Sequence, residues 1–173
     1  MIWNDFFDYF DKNRNYTKLT ADKKYTNKII INQTNHSKSQ FRQMINEKYK
    51  YSELTSKIIA CAMTVHKTLG NGFQEVIYQR ALEIEMALAG ISFEREYEMP
   101  IYYREKQIGT RRVDFLVEGV VSVELKAITQ LEKVHFTQAI NYLEAYNLEI
   151  GLLINFGEIN LNFNRLTNKK YKS

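Results

Sequence analysis

The segment 111–127, RRVDFLVEGVVSVELKA, constrains what this chain can fold into more than any other. It holds two β-rich runs around Glu118-Gly119, and successive side chains in a strand point to opposite faces. Val113, Phe115 and Val117 therefore share one face of the first run, and Val121, Val123 and Leu125 share one face of the second. Burying all six together sets a hairpin register of 117 opposite 121, 115 opposite 123 and 113 opposite 125. The connection is then an odd loop centred on Gly119, a hairpin class that wants glycine in a left-handed conformation. In this register Asp114 lies directly across from Glu124, with Lys126 two residues along. A two-residue turn would instead send the two carboxylates to opposite faces.

Directly opposed residues have Cβ atoms roughly 4.5–5.5 Å apart, where like charges are destabilising. Two carboxylates so placed must share a proton, find cations or bind a metal. A site with few oxygen ligands suits Mg²⁺, which keeps several waters and takes phosphate oxygens as further ligands. A lysine beside it can hold or deprotonate a water there, or stabilise developing negative charge. The competing explanation is a solvated hairpin face whose carboxylates are partly neutralised by Lys126 and Arg112. Asp114 is the only aspartate after residue 50, which tilts the balance toward a site.

At 173 residues the chain suits one domain with a proper core. The single cysteine, Cys61, excludes an internal disulfide framework and a zinc cluster; it falls in an apolar helical pattern and reads as core. His36, His66 and His135 show no metal-ligand spacing. No apolar run approaches the length of a bilayer span. The start, MIWNDFFDYFDKN, has no basic region followed by an apolar stretch, so it is not a secretory signal. The expectation is a cytoplasmic protein with no membrane partner. The net charge of +4 is unevenly spread: residues 1–50 carry +5 and residues 51–173 carry −1. Basic flanks such as 1–50 and the tail 165–172 can hold phosphate backbones without reading sequence. Solvated charge is the commoner explanation, and net charge alone decides nothing.

Residues 1–48 are rich in Asn, Lys, Thr and Tyr with little periodicity, and read as a polar, basic, partly disordered extension with one short strand at 28–32. Met44 precedes the first regular patterning and is a candidate functional start, so that 1–43 need not belong to the native product. A first helix is expected over 52–69, with Ser52 as N-cap and Leu54, Ile58, Cys61, Ala62, Val65 and Leu69 inward. Gly70-Asn71-Gly72 breaks it. A second helix is expected over 74–89, closed by Gly90, with Phe73, Ile77, Ala81, Ile84 and Leu88 as its core stripe. The alternation in ISFEREYEMPIYY marks a half-buried strand, and Pro100 in it an edge position or a bulge. A turn at 104–107 leads into the hairpin. A third helix is expected over 129–147, with Phe136, Ala139, Ile140, Leu143 and Tyr146 inward. Residues 150–156 form a continuous apolar strand and 160–166 a last one. The order α-α-β-β-β-α-β-β argues for an α/β (α+β) fold with one mixed sheet flanked by helices.

The run Gly72-Phe73-Gln74-Glu75-Val76-Ile77-Tyr78 fits the signature G-x-x-E-x-x-Y, and the sequence over about 49–166 resembles the GxxExxY proteins. That family is placed in the PD-(D/E)xK nuclease superfamily, whose restriction-endonuclease-like core order α-β-β-β-α-β matches the one read above. Here it would carry an extra N-terminal helix and a final strand, with 167–173 as a basic tail. The resemblance implies Mg²⁺-dependent (or Mn²⁺-dependent) cleavage of DNA or RNA phosphodiesters. It implies Asp114, Glu124 and Lys126 as the motif residues, with Val113 where the motif has proline. It adds Glu75 as an early helix glutamate, and Gln138 with Tyr142 as a Q-x-x-x-Y element on the following helix.

Glu75, Asp114, Glu124 and the Leu125 carbonyl would then hold the metal, and Lys126 would position the attacking water. Gln138, Tyr142, Arg112 and Tyr78 would contact substrate. Physical counterparts stay open beside these roles. Glu75 also suits the first turn of a helix, through the dipole. Gln138 and Tyr142 also suit a polar helix face, Tyr78 a core aromatic, and Arg112 an offset to the acidic pair. Gly72 needs only a tight turn, and His135 reads as a satisfied or surface histidine. The rival function is a catalytically inactive module on the same scaffold that binds nucleic acid or a protein partner. A homodimer is compatible with the sequence but supported by no feature of it.

Overall fold

A computed structural model describes residues 50–172, which fall within one compact unit, Asn46–Ser173. The strand expected at 28–32, the extension 1–48 and the Met44 start lie outside the described residues. The elements are α1 (Ser52–Leu69), α2 (Glu75–Leu88), β1 (Phe93–Tyr103), β2 (Lys106–Val117), β3 (Val121–Lys126), α3 (Lys133–Ala145), β4 (Ile150–Asn155) and β5 (Asn162–Thr167). Their order is the expected α-α-β-β-β-α-β-β, in a five-stranded sheet ordered β1-β2-β3-β4-β5.

β3 and β4 are the parallel pair, joined by α3 as the crossover; every other neighbouring pair is antiparallel. A central strand covered on both faces should be apolar throughout, and all six residues of β4 are buried. Two neighbours on β5 show which helices supply the cover. Arg165 donates from Nε to Thr55 Oγ1 and from Nη2 to Ser56 Oγ, both on α1 at 3.0 Å. Leu166 instead joins Ala139, Leu143 and Leu153. Adjacent strand residues point to opposite faces, so α1 and α3 cover opposite sides of the sheet. Cys61 is fully buried in α1 and burial pushes its thiol up to about 12, as a core residue requires. Pro100 lies on β1, the sheet edge, next to a register shift between Ile101 and Tyr102.

Three local expectations are corrected. Tyr51, not Ser52, is the N-cap of α1: it turns the chain into the helix at φ 57, and Ser52 is already helical. On α2 the buried stripe is Tyr78, Leu82 and Met86, while Phe73, Ile77, Ile84 and Leu88 stay exposed. Both sets recur at helical spacing, so periodicity shows two apolar stripes without telling which one faces inward. The buried stripe is the one whose Tyr78 ring stacks on Phe156 at 4.6 Å. The third helix begins at Lys133 rather than 129 because Asn155 holds the preceding segment. Its Oδ1 accepts from the Ile128 N–H at 3.0 Å, and its Nδ2 donates to Ile128 O at 2.8 Å. Glu132 and His135 then form a capping box, which gives His135 a structural role.

Candidate active site at the opening between two strands

The hairpin adopts the expected register where it pairs, Val117 with Val121 and Phe115 with Val123. Its loop carries Gly119 at φ 68. The pairing stops there, which corrects the expectation that Asp114 directly faces Glu124. β2 leaves β3 and continues alongside β1 out to the pair Tyr103–Lys106. The Leu125 N–H, freed from a ladder bond, donates to Asp114 Oδ2 at 2.7 Å. Gln79 Nε2 on α2 donates to the other oxygen, Oδ1, at 2.9 Å. Both oxygens of Asp114 are thus held in place by donors from two elements.

Glu124 and Lys126, two residues apart on β3, share a side of the strand. Lys126 Nζ donates to Leu125 O at 2.9 Å and lies 3.9 Å from Glu124 Oε2 and 4.0 Å from Glu75 Oε2. Glu124 is 6% exposed, and its Oε1 is buried without a hydrogen-bond partner. Burial first, then the neighbouring Asp114 carboxylate, pushes Glu124 up to about 8 against the opposing pull of Lys126. Glu75 is also raised, by burial and by Asp114, with Lys126 pulling it down. Two carboxylates therefore face one ammonium, with Asp114 as a third charge beside them, and with all three ionised the cluster keeps an excess of two negative charges.

This predicts an unusual stability profile. A carboxylate with a raised folded-state pKa binds its proton more tightly in the folded protein, so stability is lost as pH rises from about 4.5 toward 8. Glu75 acts in the same sense. In EDTA, the melting temperature should fall between pH 5 and pH 9, and Glu124→Gln should remove most of the fall and be the more stable protein at the alkaline end. A flat profile for the unsubstituted protein would contradict the burial of a Glu124 charge.

Glu75 reaches the cluster because the loop before α2 is clamped. Gly72 turns the chain at φ 104, which side-chain-bearing residues rarely adopt. Tyr78 donates its hydroxyl proton to Gly70 O at 2.8 Å and accepts from the Phe73 N–H at 3.2 Å. The tyrosine thus secures the loop that aims the first turn of α2 at Lys126, and the structure does not bring Tyr78 itself to the carboxylates. Gln138 Nε2 donates to the Tyr142 hydroxyl at 2.8 Å, and the Arg111 guanidinium lies 5.1 Å from the Tyr142 ring centroid. These two residues meet each other and Arg111 instead of the carboxylates; Tyr142 is buried with Met99, Val113 and Leu116. Arg112 is exposed and lies 3.7 Å from Glu96 Oε1, so its nearest carboxylate is on β1. Gln79 and Arg111 were missed by sequence reasoning. Gln79 had a usable signal: it stands four residues after Glu75, on the same helix face.

The fold and the cluster together define a mixed-sheet α+β protein that gathers negative charge where two strands part. Residues 52–166 match the family model of the PD-(D/E)XK nuclease superfamily, and the chain belongs to that superfamily. Membership points to nuclease chemistry on nucleic acid, and superfamily members generally use divalent metals. No curated protein and no solved structure matches the chain.

Proposed function

We propose that this chain is a nuclease that hydrolyses phosphodiester bonds of DNA or RNA with Mg²⁺ or Mn²⁺, and that it stands with the GxxExxY proteins through Gly72, Glu75 and Tyr78. The observation that carries the reading is a cation-seeking donor set. A buried Glu124 with an unpartnered oxygen, Glu75 and the Leu125 carbonyl surround a single ammonium, and Asp114 adds its charge beside Glu124 and Glu75.

Among the described residues no three His, Cys, Asp or Glu side chains make a ready metal cage. A sparse set suits Mg²⁺, which prefers one or two carboxylates with waters and substrate phosphates. The donors fit such an ion: they are hard oxygens, and once ionised the three carboxylates carry two charges that Lys126 does not offset. Asp114, Glu124, the Leu125 carbonyl and Glu75 would hold it. Once bound, the ion would neutralise phosphate charge and lower the pKa of water.

The chain's own groups supply the rest. Gln79 and the Leu125 N–H fix the Asp114 carboxylate. Lys126 orients the attacking water and donates to a non-bridging oxygen of the pentacovalent phosphorus centre as negative charge grows there. Gln138, Arg111 and Arg112 would contact the nucleic-acid strand, with the buried Tyr142 holding Gln138 and the Arg111 guanidinium in place. No helix among the described residues is long and apolar enough to cross a membrane.

The test is a cleavage screen of end-labelled single- and double-stranded DNA and RNA. Cleavage is expected with Mg²⁺ or Mn²⁺ and none in EDTA. No cleavage of any substrate, with nucleic-acid binding retained, would assign the inactive binding module instead.

A further inference from the structure

Beyond Met99 and Val113 the β1–β2 ribbon leaves the protein body. Among the described residues of 100–112, only Ile101 is even half-buried, so the stretch is uncovered beyond its base, where Arg111 lies over the Tyr142 ring. The ribbon is nonetheless ordered as a ladder, pairing Pro100 with Thr110, Ile101 with Gly109, Tyr102 with Gln107 and Tyr103 with Lys106. It closes through Arg104 and Glu105, both at positive φ, as a two-residue turn of the type that matches strand twist.

An uncovered arm would ordinarily be polar. This one exposes Tyr102 at 62%, Tyr103 at 62% and Ile108 at 65%. It is also basic: residues 100–112 carry +3, whereas residues 51–173 as a whole carry −1. The Arg104 guanidinium stands 5.5 Å from the Tyr103 ring centroid. The arm runs straight into the cluster, since Asp114 follows Lys106 by eight residues on the same strand, about 25 Å at strand rise.

We infer that this arm is a binding platform for single-stranded nucleic acid, feeding the strand toward Asp114. The inference rests on the nuclease reading of the carboxylate cluster and names its substrate class. Exposed aromatic rings offer faces for unpaired bases, and the interleaved cations take phosphates. Bases in a duplex are already stacked and have no free face to give. Tyr102 and Tyr103 are adjacent, so their rings leave opposite faces of the ribbon. Pairing of the arm with a second copy is opposed by Pro100 and the register shift at this sheet edge.

The experiment uses the full chain in EDTA with fluorescein-labelled oligothymidylate or oligouridylate of about 20 nucleotides, longer than one expected site. A blunt duplex of the same length is the competitor. Both single strands should bind more tightly than the duplex, and the two oligomers distinguish DNA from RNA preference. Tyr102→Thr/Tyr103→Thr, which keeps strand propensity while removing the rings, should weaken binding about tenfold or more. Tyr102→Phe/Tyr103→Phe should bind like the unsubstituted protein. In Mg²⁺, the threonine variant should raise KM with kcat unchanged.

Equal binding by the threonine variant, tighter binding of the duplex, or a changed oligomeric state with binding intact would each overturn the platform. Cleavage that proceeds with arm-independent binding sinks the platform and leaves the nuclease reading. Arm-dependent binding with no cleavage in any metal does the reverse.

Discussion

Lys126→Ala should abolish cleavage, lowering the rate by at least about a thousandfold, the scale seen when a cationic or oxyanion-stabilising donor is removed from a transition state. The size follows from the placement of this ammonium, 2.9 Å from Leu125 O and 3.9–4.0 Å from two carboxylates, with no second lysine in the cluster. The variant should still fold. Glu75 and Glu124 lose their shared cation, but Glu124, already pushed up to about 8, takes a proton instead. Removing the ammonium also frees the Leu125 carbonyl, so binding of Mn²⁺ should persist or tighten. Undiminished cleavage by the alanine protein would mean that the observed nuclease is a contaminant or that Lys126 has no part in the chemistry. Loss of the melting transition would show a structural role only.

Gly157→Ala should be the most damaging glycine-to-alanine change among the described residues. A Cβ at this position would stand 2.4 Å from both Ile128 N and Ile128 O and 2.6 Å from Ala127 C. These are backbone atoms, with no side-chain rotation to relieve the overlap. Ile128 is also gripped by the Asn155 side chain, and Phe156 N–H donates to Lys126 O at 2.7 Å. The methyl must therefore displace the segment that follows Lys126. A cost of about 3 kcal/mol or more is expected, or about 10 °C in melting temperature, with reduced cleavage even in the fraction that folds. Gly109→Ala is the natural control: it has open space around its Cβ and should melt like the unsubstituted protein. A Gly157→Ala protein melting within 2 °C of it would show that the contact is not rigid.

The hairpin was legible in the sequence because burial of Val117 with Val121 and Phe115 with Val123 fixes strand register by parity alone. The span of α1 and its inward Leu54, Ile58, Cys61, Ala62 and Val65 were legible from helical spacing, while its cap, Tyr51 instead of Ser52, was not. The inward face of α2 was not, because Phe73, Ile77, Ile84 and Leu88 match the helical period as well as Tyr78, Leu82 and Met86 do. The parting of β2 from β3 at Asp114 was equally hidden. Parity states which residues share a face but not where a ladder ends, and here the strand twists away to build an arm with β1. The carboxylates therefore converge by a route other than cross-strand opposition, through the Leu125 N–H and Gln79. The basic arm was masked by its own sequence neighbours, since Glu94, Glu96 and Glu98 cancel its charge in any count over the domain.

The most direct measurement is calorimetric titration of Mn²⁺ into the unsubstituted protein and into Glu124→Gln at pH 8, each with a non-cleavable oligonucleotide present. The unsubstituted protein should bind Mn²⁺ at millimolar concentration or below, with proton release as Glu124 ionises, and the glutamine variant should show no binding heat. Absence of Mn²⁺ binding by the unsubstituted protein, or equal binding by both, would contradict a divalent-ion site at Asp114, Glu124 and Glu75.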